Sequence, residues 1–392
     1  MLLRDNVGGS SRCRIVYLIG ELHRGGQERQ LYYLLSGMDR ATYDPAVVVW
    51  NCDDDDDHVG RIRSLGVPVH RIGGSTRLGK LTAFRRLVAD LDPDVVHSYS
   101  FHTNVAASWA TAGTRSIAVG SIRSDFVWAK HGSGRLLGRL SARWPAFHVC
   151  NSFAAAAEVR RSSSRFAPRR CEVVPNGIDL VRFHPRPLEM HGPPRILGLG
   201  YFRPVKRWDR LLQASRDLWL HHGCDHHVTI CGGGVAHASL QRLALLLDIA
   251  DRVTFLDHVD DVTGPLAAST FVVLTSELEG CPNAVMEAMA CGRAVIATDV
   301  GDVRRLVDDG RTGFVVPSGD HDALVDRLAT LARDRERCAA MGHAARRKAE
   351  TELSLERLVS RTLNAYRDAG WKPPAPSPDV SRGPLIAPTT QP

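Results

Sequence analysis

No stretch of this 392-residue chain approaches the roughly 20 apolar residues needed to span a bilayer. The apolar run at 15–20 is too short for a signal-peptide core, and no small-residue cleavage pattern follows it. It reads as a first buried strand, so nothing in the sequence directs the chain out of the cytoplasm. The nine cysteines are an odd number without a CxxC pair, which argues against a disulfide framework and against a zinc site. The fingerprint GxGxxG is absent, which counts against a nicotinamide dehydrogenase. Aromatics make up only 6% of the chain and are not interleaved with the basic residues, which speaks against a nucleic-acid binder. The acid run at 53–57 is the one place to seek a metal. Five consecutive aspartates repel one another and favour a solvated loop rather than converging on one ion.

What is present is the composition of a globular protein, 44% hydrophobic and 24% charged. The net charge of +7 is unevenly placed. Residues 1–190 carry 26 Lys/Arg against 18 Asp/Glu, and the remainder carries 24 against 25. A basic first half suits an anionic partner, whether membrane lipid or a phosphorylated acceptor, or is a well-solvated Arg-rich surface. Arg135, Arg139 and Arg143 fall at helical spacing beside Leu136, Leu137 and Leu140. That stripe fits an ordinary core-facing helix over 128–143 or a helix lying on an anionic membrane.

Short β-branched runs alternate with helical-period stretches. Strands are expected at 14–19, 46–50, 67–71, 95–98, 117–121, 148–151 and 172–175, with helices at 28–38, 81–91 and 103–112 among them. A Pro-rich interruption at 184–194 marks a domain boundary. The rhythm restarts with strands at 195–200, 227–231, 253–256, 271–275, 294–298 and 313–316. Helices are expected there at 211–220, 240–247, 284–291 and 323–333. The fold class is α/β: two Rossmann-like, doubly wound parallel-sheet domains facing each other across a cleft. Ligands of such sheets bind outside the carboxyl ends of the strands.

The most informative stretch is 276–302, SELEGCPNAVMEAMACGRAVIATDVGD. A strand ends at Thr275, a turn runs through Gly280 and Pro282, and a helix starts near Asn283, whose side chain can cap it. The free N–H groups of the helix start form an anion site suited to a diphosphate. Glu279 just before the helix and Glu287 one turn into it are acceptors for sugar or ribose hydroxyls. Arg203 and Lys206, in GYFRPVKRWDRLL at 200–212, come from a strand–helix turn and approach the same cleft. Gly25 and Gly26 allow close backbone approach to a ligand. The glycine run 232–234 marks a turn open to a nucleotide. His97, His102 and Asn104, in HSYSFHTN, lie at a strand's carboxyl end and are candidates for contact with an acceptor.

At these residues the chain resembles the family-4 glycosyltransferases of GT-B architecture, from Arg14 to about Ala369. The most specific match is Glu-x7-Glu, Glu279 to Glu287, inside EGCPNAVMEAMACG. Supporting matches are GGQE at 25–28, CNSFAAAAEV at 150–159, VVPNGID at 173–179, RPVK at 203–206, ADRVTFLDHVDD at 250–261 and DDGRTGFVVP at 308–317. The resemblance implies a retaining transfer from a UDP- or GDP-linked sugar to an acceptor hydroxyl, without a metal or other cofactor. It places Glu287 at the ribose, Glu279 against the donor sugar, and Arg203 and Lys206 on the diphosphate. The backbone at Gly280, Cys281, Pro282, Asn283 and Ala284 would touch donor sugar and phosphate, and the Gly25–Gly26 loop would close on the donor. His102, Arg203, Lys206 and Glu279 are the expected catalytic group, with His97, Asn104 and Arg123 as acceptor-side candidates.

The pattern also departs from the family's. Tyr201 stands where many relatives have Arg, His97-Ser98-Tyr99 stands where many have His-x-His, and Arg305 matches a usual acid. The expected domains are 1–12 (flexible N-terminus), 13–190 (acceptor side), 191–354 (nucleotide-sugar side), 355–370 (a helix returning to the first domain) and 371–392 (a disordered Pro-rich tail). The expected setting is cytoplasmic, with peripheral contact at an anionic membrane and no nucleic acid. A nucleotide-sugar 2-epimerase of the same fold and a silent carbohydrate- or lipid-binding relative are the alternatives.

Overall fold

Runs of Val, Ile and Leu that are buried on both faces can only be strands of a sheet covered by helices on both sides. The computed structural model, which describes residues 12–23, 25–51, 57–257, 259 and 261–372, contains two such sheets. The first comprises β1 (Cys13–Ile19), β2 (Tyr43–Val49), β3 (Val69–Arg71), β4 (Val95–Ser98), β5 (Ile117–Ile122), β6 (Phe147–Cys150) and β7 (Arg170–Val173). The second comprises β8 (Arg195–Leu199), β9 (His227–Cys231), β10 (Val253–Leu256), β11 (Phe271–Leu274), β12 (Ala294–Thr298) and β13 (Gly313–Val316). Every pairing is parallel. The orders are β3-β2-β1-β4-β5-β6-β7 and β10-β9-β8-β11-β12-β13.

Strand order therefore reverses between β1 and β4 in one sheet and between β8 and β11 in the other. Register fixes these central neighbours: Tyr17 lies opposite His97 in the first sheet, and Val273 opposite Gly198 in the second. A crevice opens beyond the carboxyl ends at each switch point. The turns that leave β1, β8 and β11 begin at Gly20, Gly200 and Thr275, and they carry the glycine, basic and Glu-x7-Glu motifs.

Residues 174–194 between β7 and β8, which include the Pro-rich segment 184–194, contain neither helix nor strand. The chain crosses back at the end of the second domain. Ile178 N donates to Leu353 O at 2.8 Å, and the helix Leu355–Asp368 begins immediately afterwards. Its Leu358, Val359, Leu363 and Tyr366 join Ile15, Tyr17 and Leu34 in the first domain's core.

Trp371 belongs to that core too. It is 6% exposed, with its ring 6.2 Å from that of Tyr43. The expected tail from 371 is thus corrected at its first residue, because a buried indole three residues past the helix holds the chain to the core; residues 373–392 lie outside the described residues, as do 1–11. Trp371→Ala is expected to destabilise the fold by about 3 kcal/mol, the usual cost of emptying a buried aromatic site. Urea denaturation should show a lower midpoint at unchanged slope, and an unchanged midpoint would contradict this packing.

Two more expectations need correction. The helix over 128–143 is two helices, Phe126–Gly132 and Arg135–Arg143, broken at Gly134, whose φ is 84°. They cross so closely that a Cβ on Gly138 would sit 1.9 Å from the Lys130 carbonyl oxygen. The buried face is Gly138, Ser141 and Ala142 rather than the leucine stripe, and Leu136 is exposed. Helices at Asp57–Ser64, Phe153–Arg161 and Arg335–Glu352 were not anticipated. The other four residues of the acid run lie outside the described residues, as does Cys52. The remaining eight cysteines are free, six of them buried. No described helix is long and apolar enough to cross a membrane.

Candidate active site

Two cavities lie side by side in the cleft, about 340 and about 630 Å³ in volume. Gly26, Glu279, Cys281 and Asn283 line both. The partition is a close approach between the domains. A Cβ on Gly26 would stand 2.6 Å from Asn283 Nδ2, so only glycine lets the first domain's helix start reach the Glu-x7-Glu turn.

The smaller cavity lies at the carboxyl ends of β8, β9 and β11. Gly200 and Gly232 follow the first two strands, and Glu279, Pro282, Ala284 and Glu287 come from the turn and helix after the third. Gly301 supports that turn from below. Its φ of 55° is a glycine conformation, and a Cβ there would meet the Glu279 carbonyl oxygen at 2.4 Å. Asp302 N donates to Gly280 O at 2.9 Å.

Helix Asn283–Ala290 starts as expected, with one correction. Pro282 is the N-cap residue, and no side chain caps the first turn. The Asn283 side chain instead reaches across the cleft. Its Oδ1 accepts from Asn176 Nδ2 at 3.0 Å and from Gln30 Nε2 at 3.2 Å. Tertiary partners outcompeted the local cap, which leaves the helix's N–H groups beside the cavity without a side-chain acceptor.

Lys206 and Glu279 are paired. Lys206 Nζ donates to Glu279 Oε1 at 2.5 Å, and Ser276 Oγ donates to the same oxygen at 2.6 Å. The two turns are also tied through the backbone: Thr275 Oγ1 donates to Lys206 O, and Glu277 N to Val205 O, each at 2.9 Å. The structure separates the expected diphosphate pair. Lys206 lines the smaller cavity, whereas Arg203 is exposed, stacks 5.2 Å from the Tyr201 ring centroid and lines the larger one.

Arg29, Arg61 and Arg182 join Lys206 around the smaller cavity, with His58 beside them. Four cations thus surround two carboxylates, a balance that favours a dianionic ligand. Glu287 is 2% exposed and accepts from Arg29 Nη2. Burial pushes its carboxyl above the usual range, while Arg29, Arg182 and Lys206 pull it back down.

Arg29 and Gln30 were missed from the sequence. Gln30 exchanges two bonds with the Gly177 backbone, Nε2 to O at 2.8 Å and N to Oε1 at 2.9 Å. Both follow the Gly25-Gly26 motif within one helical turn, and that spacing is the signal that points them at the ligand-facing side. A second clasp comes from Asp302, whose carboxylate accepts from Phe153 N at 2.8 Å and Ala154 N at 2.9 Å at the start of helix Phe153–Arg161. Arg305, which departs from the acid usual at the matching place, stacks 3.6 Å from the Phe153 ring centroid.

The acceptor-side candidates separate. His97 is fully buried, with Nδ1 2.8 Å from Tyr366 Oη and Nε2 2.9 Å from Ser121 Oγ. Burial holds its pKa well below the usual imidazole value, so it is a neutral core histidine and leaves the candidate set. Asn104 leaves it as well. It is fully buried, accepting from Ser121 N at 2.9 Å and donating to Ser121 O at 3.0 Å. Strand β4 ends at Ser98, and each side chain satisfied itself inside the first domain rather than at the cleft. Arg123 lines the larger cavity and lies 3.5 Å from the Tyr99 ring centroid. His102 is half-buried against Gly20 and Ser100 at the end of β1, lining neither cavity, and burial lowers its pKa.

Two parallel-sheet domains with a basic, carboxylate-bearing cavity between them are the architecture of GT-B transferases. Family models agree: "Glycosyl transferase 4-like domain" matches residues 25–177 and "Glycosyl transferases group 1" matches 182–348. The chain belongs to these GT-B glycosyltransferases. It is 32% identical over 173 residues to N-acetyl-alpha-D-glucosaminyl L-malate synthase of Bacillus anthracis, covering 44% of this chain and 45% of that one. It is 32% identical over 243 residues to D-inositol 3-phosphate glycosyltransferase of Rhodococcus opacus, covering 55% and 53%. The chain thus spans about half the length of these curated relatives. Among solved structures, Anabaena HepE in complex with UDP superposes with a TM-score of 0.77 at 20% identity, over 91% of this chain and 100% of that one.

Proposed function

We propose that the chain transfers a sugar from a nucleoside diphosphate sugar to an acceptor hydroxyl, with retention at the anomeric carbon and without a metal. The observation that carries this reading is the smaller cavity, where two carboxylates and four cations meet an uncapped helix start at a sheet's switch point. In this reading Glu287 accepts ribose hydroxyls and Glu279 accepts a hydroxyl of the sugar. Lys206 moves from Glu279 to the phosphate oxygens when the donor enters and stabilises the charge that grows on them as the glycosidic C–O bond breaks. Lysine, arginines and helix N–H groups supply the positive charge that a divalent ion gives in other transferases.

The larger cavity, with Arg123, Asn151 and Arg203, is the acceptor's side. Trp128 lines it and is 62% exposed at the edge of a strongly basic surface. Between Phe126 and Arg170 the sequence has nine Lys/Arg and one acid, Glu158. That surface supports peripheral contact with an anionic membrane and an acceptor presented from it. The relatives named above act, by their names, on malate and on inositol phosphate, small polar acceptors. HepE was solved with UDP and, in another structure, with UDP-glucose, which supports a uridine-linked donor as the first to try.

A thermal-shift screen of UDP- and GDP-linked sugars tests the reading. A ligand at a hundred times its Kd raises stability by about 2.7 kcal/mol. The donor should shift the melting temperature equally with and without EDTA, and the anomer formed on transfer to water should match the donor's. No shift with any nucleotide sugar, or a shift that EDTA abolishes, would contradict it.

A further inference from the structure

Each domain supplies one half of a buried ion pair across the cleft. Arg29 is on the first domain's helix Gly26–Ser36 and Glu287 on the second domain's helix Asn283–Ala290. The side chains are 26% and 3% exposed. Among the described residues no other side chain hydrogen-bonds to or ion-pairs with the Glu287 carboxylate. Lys206, a second-domain cation whose charge also acts on Glu287, is paired with Glu279.

The charged and titratable groups that face Glu287 come from every element around it. They are Arg29 and Tyr33 from the first domain's helix, Arg182 from the connecting segment, Lys206 from the turn after β8, Cys231 at the end of β9 and Cys291 at the end of its own helix. Among the described residues only Arg29 donates a hydrogen bond to it. A carboxylate accepts at about four lone-pair positions, and a protonated carboxyl gives up part of that capacity and becomes a donor. Desolvation favours the protonated form, and a contacting cation favours the ionised one.

We infer that Arg29 is a positioning residue through which the first domain keeps Glu287 an aligned, ionised acceptor for the donor's hydroxyls, so that donor affinity depends on contact between the domains. One guanidinium N–H occupies one lone pair of Oε1 and leaves the others for a vicinal diol. With the first domain drawn away, the Glu287 carboxylate loses the side-chain donor that it has among the described residues. The inference rests on the proposed reading of the smaller cavity as a nucleotide-sugar site.

The experiment is calorimetric titration with UDP-glucose, UDP-N-acetylglucosamine and GDP-mannose between about pH 5 and about pH 8. Their diphosphates are diesters and do not themselves titrate over that range. Glu287 has a raised pKa, so acceptor capacity is present above that pKa and lost below it. Removing Arg29 raises the pKa further and moves the loss to higher pH. Arg29→Ala should bind at least about tenfold more weakly at the acid end than at its own alkaline end, one pH unit of titration being worth about tenfold. Wild type should change less, and Arg29→Lys should fall between.

Arg29→Ala with Glu287→Gln should bind weakly and with no pH dependence, because the titrating group is gone. If Arg29→Ala fails to fold, the Arg29→Lys profile and the Glu287→Gln single variant still decide the matter. A uniform loss of affinity with wild-type pH dependence in Arg29→Ala and Arg29→Lys overturns the inference while leaving the nucleotide reading intact. An acid limb that survives Glu287→Gln also overturns it. Binding of none of the three sugars by wild type overturns both.

Discussion

Glu287→Ala should raise the donor's Kd by about two orders of magnitude at neutral pH. A hydrogen bond to a charged group contributes about 1.5–3 kcal/mol, and two ribose hydroxyls lose their acceptor at once. Glu287 is 2% exposed, and no other described carboxylate lines the cavity except Glu279, which Lys206 and Ser276 already hold. The substitution also leaves the half-buried Arg29 guanidinium without its carboxylate partner, so part of the loss will appear as lower stability of the protein without donor. Glu287→Gln separates the two effects, because the amide keeps the volume and one acceptor oxygen. The alanine variant should melt lower and bind more weakly than the glutamine variant. Unchanged donor affinity in both would remove Glu287 from the ribose.

The second large effect is on turnover. Lys206→Ala should lower kcat by about a hundred- to a thousandfold, the usual result of deleting one charge-stabilising donor, with a much smaller change in KM. Lys206 spends its charge on Glu279, and on the proposed reading that bond exchanges for one to phosphate as the donor binds. Ground-state gain and loss therefore nearly cancel, and the benefit falls on the transition state, where the phosphate oxygens carry more charge. Slow transfer to water serves as the assay while the acceptor is unidentified. A kcat equal to wild type, or a loss confined to KM, would take Lys206 out of the chemistry.

Sequence reading was strongest where both faces of an element are buried. The strands β4, β9, β10, β12 and β13 lie at their expected bounds, and β4 and β12 are buried along their whole length, so no polar alternation blurs their ends. Helices built on small residues were harder to see. Ala-rich Phe153–Arg161 and charge-rich Arg335–Glu352 bury Ala, Gly, Cys and Met rather than a leucine stripe, and at 128–143 the leucines misled about which face is inward. Glu279, Lys206 and Glu287 were expected at one cleft and line one cavity, because the turns after the neighbouring strands β8 and β11 leave the same edge of the sheet.

Contacts between domains were not legible. The spacing from Gly25-Gly26 marks a face for Arg29 and Gln30 but not their partners, and nothing local marks Asn176 or Asp302; all four bond to residues more than a hundred positions away. His97 shows the reverse error. A histidine at a strand's carboxyl end faces the cleft only if nothing covers it, and here the returning C-terminal helix places Tyr366 over it.

The most direct measurement is a calorimetric titration of the wild-type chain with the nucleotide sugar selected by the thermal screen, in buffer with EDTA. One donor per chain should bind without metal, and the free nucleoside diphosphate should compete for the same site. Absence of binding, or binding only after a divalent cation is added, would contradict a cavity whose charge is supplied by Lys206, its neighbouring arginines and the helix start at Asn283.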